Sequence, residues 1–249
     1  MTSNSSSSLV KIDILGVGIT NASEGDILEY AFEALGKNPE KIRIVTPNPE
    51  IIVFAAKHPQ FKNILNNAQI SLADGVGVMW ASSILAKPLK QRISGVDFMK
   101  KLCEKCAEKP ITVSFLGAGP GIAEITAECL KKQYPGLKVG FAVSEIPNTK
   151  YQIPNTDILF VAYGFPKQEE WIAKHLPDLP VGLAMGVGGA FNEIAGIEKS
   201  PPKWIDSIGF KWLWRLVHEP WRWRRQLALL EFIGMVIREK FQNLNSKHQ

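Results

Sequence analysis

The chain has 249 residues, of which 45% are hydrophobic and 21% charged, with a formal net charge of +5. This composition is typical of a globular domain with a substantial core, and it excludes a disordered chain, a collagen and a disulfide-stapled miniprotein. The odd cysteine count of three indicates free thiols in a reducing compartment. Since we find neither a signal peptide nor an apolar run of about 20 residues, we expect a cytoplasmic protein without a membrane-spanning helix.

The positive charge is concentrated at one end of the chain. From residue 199 onward Lys and Arg exceed Asp and Glu by six, whereas the rest of the chain has a net charge of −1. Five of the seven tryptophans lie in the same segment. We therefore expect a disordered serine-rich tail over 1–8, a nearly neutral body over 9–198 and a basic, tryptophan-rich appendage over 199–249.

Apolar, β-branched runs alternate with helical patterns through the body. The predicted strands are Val10–Gly18, Ile42–Thr46, Gln69–Ala73, Ile111–Gly117, Leu137–Val143, Asp157–Tyr163 and Val181–Gly186. The predicted helices are Glu24–Gly36, Pro49–Asn66, Gly95–Glu108, Gly121–Tyr134 and Lys167–Leu176. This alternation predicts an α/β fold: a Rossmann-like, mostly parallel sheet with helices on both faces. Residues 202–244 are predicted to form a helical C-terminal appendage, interrupted near Pro220.

Two glycine-rich loops follow predicted strands, at the edge where ligands of parallel α/β sheets bind. Glycines there let the backbone approach a phosphate at a helix N-terminus. The first loop, Leu116–Gly121, is equally compatible with a tight turn that binds no ligand. It is also compatible with an S-adenosylmethionine or NAD site in which Glu145 binds the ribose. The candidate nucleotide-binding residues are Gly117, Ala118, Gly119, Gly186, Gly188 and Gly189.

Polar side chains follow the second and third predicted strands. Thr46 and Asn48 end one strand, and Asn48 precedes Pro49 in the manner of a helix N-cap. Asp74 ends the next strand and is either a cap or a carboxylate that takes a proton from a substrate.

Arg92 and Gln168 each precede or begin a predicted helix. Arg92 either reaches a phosphate or is an exposed loop arginine. Glu169 and Glu170 favour the helix dipole, but capping does not explain Gln168, whose amide is predicted to recognise a sugar hydroxyl.

The sequence contains no recognisable metal site. Cys103 and Cys106 form a C-x-x-C inside a helical pattern without a second pair, and the four histidines lack metal-binding spacing. There is also no D-x-D pair of the kind that holds a divalent ion in many sugar-nucleotide enzymes. We therefore predict neither a metal nor a cofactor.

The appendage interleaves basic residues with aromatic ones. Such a pattern suits anionic lipid or nucleic acid, and the alternative is a solvated basic helix face with packed tryptophans. Tryptophan favours membrane interfaces, and Leu227, Leu230, Ile233 and Ile237 form an apolar stripe. We therefore expect an anionic membrane surface, not nucleic acid, as the partner, with the protein peripheral on the inner face of the plasma membrane.

Taken in order, these segments resemble the WecG/TagA/CpsF glycosyltransferase family over nearly the whole chain. The pieces that carry the resemblance are Thr46-Pro47-Asn48, Ala73-Asp74-Gly75, Arg92 with Gly95, Leu116-Gly117-Ala118, Pro166-Lys167-Gln168-Glu169, Met185-Gly186-Val187-Gly188-Gly189, Trp214-Arg215-Leu216 and Glu219-Pro220-Trp221-Arg222.

The resemblance implies an inverting, metal-independent enzyme. It would move a sugar from a UDP-sugar to a polyprenyl-diphosphate-linked sugar in cell-surface polysaccharide or teichoic-acid-type synthesis. N-acetylmannosamine, its uronic acid, glucose and glucuronate all remain open as the donor sugar. The resemblance places the base on Asp74 and gives substrate-binding roles to Thr46, Asn48, Arg92, Gln168, Arg215, Arg222 and Arg225. Lys211 and Trp221-Arg222-Trp223 depart from the family pattern and bear on the acceptor and the membrane.

Two other classes of function remain open at the level of the sequence. One is a peripheral membrane or nucleic-acid-binding module without chemistry, and the other is an S-adenosylmethionine or NAD enzyme using the Gly117 loop. Homo-oligomer formation is left open as well.

Overall fold

A computed structural model describes residues 9–37, 41–145, 153–198, 202, 205, 211–218 and 223–245. Within these ranges, the side chains of residues 37, 211, 212, 215 and 223–226 are not described. The serine-rich tail predicted over 1–8 lies outside the described residues.

The predicted α/β fold is confirmed. The strands are β1 (Lys11–Ile14), β2 (Val17–Thr20), β3 (Ile42–Val45), β4 (Ile70–Ser71), β5 (Thr112–Gly117), β6 (Lys138–Val143), β7 (Thr156–Ala162) and β8 (Val181–Gly186). Six of them form one sheet in the order β4-β3-β8-β7-β5-β6. Every neighbouring pair in this sheet is parallel.

Helices connect and cover the strands of the sheet. They are α1 (Glu24–Lys37), α2 (Pro49–Lys57), α3 (Pro59–Asn66), α4 (Val76–Ile84), α5 (Gly95–Ala107), α6 (Ile122–Gln133), α7 (Lys167–His175), α8 (Ala190–Ile194), α9 (Lys211–His218) and α10 (Trp223–Asn245). None of the described helices is long and apolar enough to cross a membrane.

Both faces of the sheet are buried, as expected for parallel strands covered by helices. Alternate residues of one strand point to opposite faces: Phe160 packs in a core with α1, α5, α6 and α8, whereas Leu159 and Val161 pack in a second core with α7. A third core lies under α2, α3 and α4 and includes residues of the β1–β2 hairpin. The sheet is thus the rigid support for the loops at its two edges.

The predicted first strand, Val10–Gly18, was wrong in extent and place. Lys11–Thr20 forms an antiparallel hairpin that is separate from the main sheet. Its two-residue turn has positive φ angles of 56° at Leu15 and 83° at Gly16, the conformation of a type I′ turn. Because Leu15 carries a side chain that rarely adopts this conformation, the turn is not conspicuous in the sequence.

Two helical predictions also need correction. The predicted helix over Pro49–Asn66 is two helices, because Pro59 has no N–H and drives His58 out of the helical conformation. Helix α4 was missed because Val76–Ile84 is apolar on nearly all sides and shows no amphipathic pattern.

The last helix packs on the body. Phe232 and Val236 of α10 are completely buried in the core under α2, α3 and α4. Two ion pairs flank this contact: Lys57 Nζ lies 2.7 Å from Glu231 Oε2, and Lys87 Nζ lies 3.4 Å from Glu239 Oε1. The appendage predicted from residue 199 therefore ends in a helix that completes the core of the body.

Candidate active site

The functional candidates gather at the carboxyl edge of the sheet, where the parallel strands end. Across this edge lie Asp74 after β4, Thr46 after β3, Gly188 after β8, Gly164 after β7 and Ala118 after β5. The chain leaves β5 toward β6 but leaves β7 toward β8, in opposite directions. Such a divergence opens a crevice at the carboxyl edge, the usual ligand site of open α/β sheets.

Thr46 and Asp74 are held together at one side of this edge. Leu72 N–H donates to Val45 O at 2.9 Å and Asp74 N–H to Pro47 O at 3.2 Å, so the two strand ends stay paired. Both side chains face the first residue of α5: a Cβ on Gly95 would lie 3.0 Å from Thr46 Cγ2 and 3.7 Å from Asp74 Oδ2. The missing side chain of Gly95 therefore leaves room for this pair.

The capping interpretation is confirmed for Asn48, whereas Asp74 is not the N-cap residue of its helix. Asn48 is the N-cap of α2, and its Oδ1 accepts the N–H of Ile51 at 3.0 Å. At α4 the N-cap is Gly75, with a φ of 91°, and Asp74 precedes it. Asp74 is half-buried.

Arg92 lies next to Asp74 through a backbone contact. Ile93 N–H donates to Ala73 O at 3.0 Å, which ties the loop before α5 to the end of β4. Arg92 itself is half-buried. The structure thus brings a guanidinium-bearing residue to the same side of the edge as Thr46 and Asp74.

The first glycine loop is shaped by contacts within the protein. Gly117 has a φ of 111°, and a Cβ there would lie 2.8 Å from the carbonyl carbon of Ala162, so no other residue fits. Ala118 N–H donates to Ala162 O at 2.9 Å, and Ser144 Oγ donates to Gly119 O at 2.7 Å. The amide of Ala118 is therefore engaged, and the nucleotide role of this loop stays a prediction.

The second glycine loop is held by Gln168. Its Oε1 accepts the N–H of Gly188 at 2.9 Å, and a Cβ on Gly186 would come within 2.8 Å of its Nε2. Gln168 is 2% exposed. The glutamine amide thus fills the space left by Gly186 and fixes the loop, and its predicted contact with a sugar hydroxyl, like the nucleotide role of Gly186, Gly188 and Gly189, stays a prediction.

Glu169 is a feature of the site that sequence reasoning assigned only to the helix dipole. It is 2% exposed, and burial raises the pKa of its carboxyl group to about 7, against the opposing effect of a hydrogen bond from Gln168. Its position next to Gln168 was the one hint in the sequence of a role in the site. The hint was not used, because the helix dipole already explains a carboxylate in the first turn of a helix.

The arginines of the appendage cannot be placed relative to this edge. Arg222 lies outside the described residues, and Arg215 and Arg225 belong to α9 and α10 with side chains that are not described. Their predicted role in binding substrate therefore rests on the sequence alone.

Other parts of the described chain offer no competing site. The described His, Cys, Asp and Glu residues form no group of three able to hold a metal ion. Two open cavities of about 420 and 470 Å³ lie at the opposite edge, where the strands begin, and share Lys41 in their walls. Lys41 Nζ donates to the carbonyls of Leu176 and Pro177, each at 2.9 Å. This lysine therefore caps carbonyl groups at the C-terminal end of α7.

Comparison with known proteins identifies the chain. Residues 12–246 match the model of the Glycosyl transferase WecG/TagA/CpsF family. The chain belongs to this family. It is therefore a glycosyltransferase, as the resemblance implied, and this assignment replaces the non-enzymatic module and the S-adenosylmethionine or NAD enzyme that the sequence left open.

Several curated relatives carry one name, N-acetylglucosaminyldiphosphoundecaprenol N-acetyl-beta-D-mannosaminyltransferase. The relative from Bacillus spizizenii strain W23 is 33% identical over 203 residues, which cover 79% of each protein. The relative from Bacillus subtilis strain 168 is 30% identical over 203 residues. The relative from Staphylococcus aureus strain MRSA252 is 31% identical over 233 residues, which cover 90% of each protein.

Proposed function

We propose that this glycosyltransferase moves a sugar from a UDP-sugar to a polyprenyl-diphosphate-linked sugar, with inversion and without a metal ion. N-acetylmannosamine is the first donor sugar to test, because it is the one named for the relatives in Bacillus and Staphylococcus. The observation that carries the proposal is the meeting of Thr46 and Asp74 against Gly95 at the carboxyl edge of the sheet.

The reaction needs a base for the acceptor hydroxyl, and Asp74 is our candidate. In a single displacement the acceptor oxygen forms a bond to the anomeric carbon while the bond from that carbon to the UDP oxygen breaks. The hydroxyl proton passes to Asp74, and UDP leaves with the bonding electrons. Since attack and departure occur on opposite faces of the sugar, the anomeric configuration inverts.

The departing UDP also needs positive charge close to the edge. Asp74 brings a carboxyl group to this edge, and its negative charge would repel a diphosphate. Arg92 is a cationic residue at this edge, because the next residue, Ile93, donates its N–H to Ala73 O beside Asp74. Arginine binds diphosphate oxygens in a bidentate manner, so we assign the remaining charge to Arg215, Arg222 and Arg225 of the appendage.

The exposed face of α10 suits a lipid-linked acceptor. Its exposed apolar residues lie on the side of the helix opposite the buried Phe232 and Val236. With Gly234 included, they follow one another at alternating spacings of three and four residues, as residues on one helical face do. Ile233, which was predicted to belong to the apolar stripe, is half-buried. The exposed stripe instead extends to the C-terminal end of α10. The exposed apolar residues of α10 are Leu227, Leu230, Ile237, Phe241 and Leu244. Together with the net charge of +6 beyond residue 198, they favour binding to an anionic membrane surface.

A donor panel tests the proposal. The purified protein is incubated with several UDP-sugars and a short-chain polyprenyl-diphosphate N-acetylglucosamine, and UDP release is recorded with and without the acceptor. We expect one donor to give acceptor-dependent UDP release and a product of inverted anomeric configuration. Absence of acceptor-dependent release with every donor would overturn the proposed substrates.

A further inference from the structure

Glu169 is a buried carboxyl group that its place in the helix does not explain. It is the third residue of α7, where a glutamate usually reaches back to the N–H of the N-cap residue. Here the N-cap is Pro166, which has no N–H. A carboxyl group could equally face solvent at this point of a helix, yet Glu169 is 2% exposed.

The carboxyl group of Glu169 accepts a hydrogen bond from one neighbouring side chain. Its Oε1 accepts the Nε2 group of Gln168 at 2.8 Å, while its Oε2 is buried without a hydrogen-bond partner among the described residues. Burying a carboxyl group with so few partners is costly. The one side-chain hydrogen bond that Glu169 makes within the described chain is with the amide of Gln168.

That contact decides which way the Gln168 amide points. A glutamine amide can turn over and exchange its oxygen and nitrogen. With an acceptor on Glu169 at one end and the N–H of Gly188 at the other, only one orientation satisfies both hydrogen bonds. The close approach of Gly186 to the same amide leaves little room for any other position.

The chain of contacts ends beside Thr46. Ile44 of β3 pairs with Met185 of β8, and Thr46 and Val187 each follow two residues later, where these neighbouring strands have ended. A shift of the loop after β8 would therefore be felt next to Thr46 and its neighbour Asp74.

We propose that Glu169 is a positioning residue of the transfer reaction: it orients the Gln168 amide, which in turn holds the Gly186–Gly189 loop beside Thr46. The inference rests on the proposed function for its kinetic part, but the hydrogen-bond relay itself is testable without any substrate.

The kinetic test compares three variants. Glu169→Leu removes the acceptor and should lower kcat about 10-fold or more with a smaller effect on the donor KM, because the loop is displaced rather than lost. Glu169→Gln keeps an acceptor oxygen and should restore kcat to within about threefold of wild type. Glu170→Leu changes the neighbouring exposed carboxylate and should leave kcat unchanged. Wild-type kcat in a folded Glu169→Leu, or no recovery in Glu169→Gln, would overturn the proposal.

An exchange of the two side chains covers the case in which Glu169→Leu fails to fold. Gln168→Glu alone places two carboxyl groups side by side and should lose activity. Adding Glu169→Gln should restore it, because the new amide donates to the new carboxylate, which still accepts Gly188 N–H. A double variant as impaired as Gln168→Glu alone would contradict the relay.

Hydrogen exchange separates this inference from the proposed substrates. The amide of Gly188 should exchange slowly in wild type and in Glu169→Gln, and about 10-fold faster or more in Glu169→Leu. This result is expected even if no donor of the panel is used. Equal exchange rates in all three proteins would overturn the relay, whatever the activity.

Discussion

Thr46 and Asp74, which follow neighbouring strands, both approach the bare Cα of Gly95. A Cβ on Gly95 would lie 3.0 Å from Thr46 Cγ2 and 3.7 Å from Asp74 Oδ2. Three segments far apart in the sequence thus meet at one point of the carboxyl edge. Asp74 thus has a carboxylate at this point that can take a proton.

Filling the space at Gly95 should impair the reaction without unfolding the protein. Gly95→Ala places a methyl group in tight contact with Thr46 and should lower kcat about 10-fold or more, because small displacements of catalytic groups are costly. Steady-state kinetics and a thermal melt measure the two effects. Gly36→Ala is the matched control, since a Cβ there meets no atom within 4 Å. Wild-type kcat in Gly95→Ala would show that the spacing of Thr46 and Asp74 does not matter.

The buried carboxyl group of Glu169 predicts a pH dependence of stability. Its pKa is about 7 in the folded protein and 4.5 in an unperturbed glutamate. Between these values the folded state binds more protons than the unfolded chain, so this group lowers the free energy of unfolding as the pH rises. Relative to wild type, Glu169→Gln should gain roughly 2 to 3 kcal/mol between pH 5 and pH 8.

Denaturant unfolding at several pH values measures this difference. Glu29→Gln, an exposed glutamate of α1, is the control and should follow the wild-type pH dependence. A constant difference between Glu169→Gln and wild type over this pH range would contradict the raised pKa.

Transfer is expected to proceed without a divalent metal ion. The sequence lacks a D-x-D pair, and arginines are proposed to neutralise the departing diphosphate. Initial rates in EDTA should equal those in buffer alone, and added Mg²⁺ or Mn²⁺ should not raise them. Loss of activity in EDTA that Mg²⁺ or Mn²⁺ restores would show that a metal, and not arginine, stabilises the leaving group.

The exposed stripe of α10 should govern membrane binding. Leu230 and Phe241 are 68% and 62% exposed, so Leu230→Gln combined with Phe241→Gln should leave the fold intact. Because less apolar surface would then enter the membrane, binding to anionic vesicles should weaken about 10-fold or more. Vesicle sedimentation measures this binding. The control is Ile125→Gln, an exposed apolar residue of α6 on the body. Unchanged vesicle binding by the double variant would rule out this face.

Truncation at residue 199 would be a poor test of the same idea. Phe232 and Val236 are completely buried against the body, so removal of α10 would open the core under α2 and α4. Core truncations of this size cost several kcal/mol. Surface substitutions on α10 are therefore the cleaner experiment.

The sequence predicted the elements whose signals are local. The apolar runs of β5, β7 and β8 are largely buried on both faces, which is why their positions could be predicted. The hairpin turn at Leu15 and Gly16 was missed because only its geometry, not its residue types, is typical of such a turn. Helix α4 escaped because it lacks an amphipathic pattern.

The sequence predicted that the candidate site residues share one edge, but not their contacts. Asp74 and Thr46 are candidates because polar residues at the ends of parallel strands lie at the same edge of the sheet. The hydrogen bond from Gly188 N–H to Gln168 Oε1 joins residues 20 positions apart in the chain. No local pattern of residue types in the sequence predicts such a contact. The burial of Glu169 was hidden for the same reason, since it depends on how α7 packs against the neighbouring strands.

The base assignment is tested most directly by single-turnover transfer with Asp74→Asn. With excess enzyme, a UDP-sugar donor and the short-chain polyprenyl-diphosphate acceptor, Asp74→Asn should form product about 10²- to 10⁴-fold more slowly than wild type. It should still bind UDP, and the exposed Asp97→Asn should react at the wild-type rate. Product formation by Asp74→Asn at a rate close to that of wild type would contradict the account of this edge as the active site.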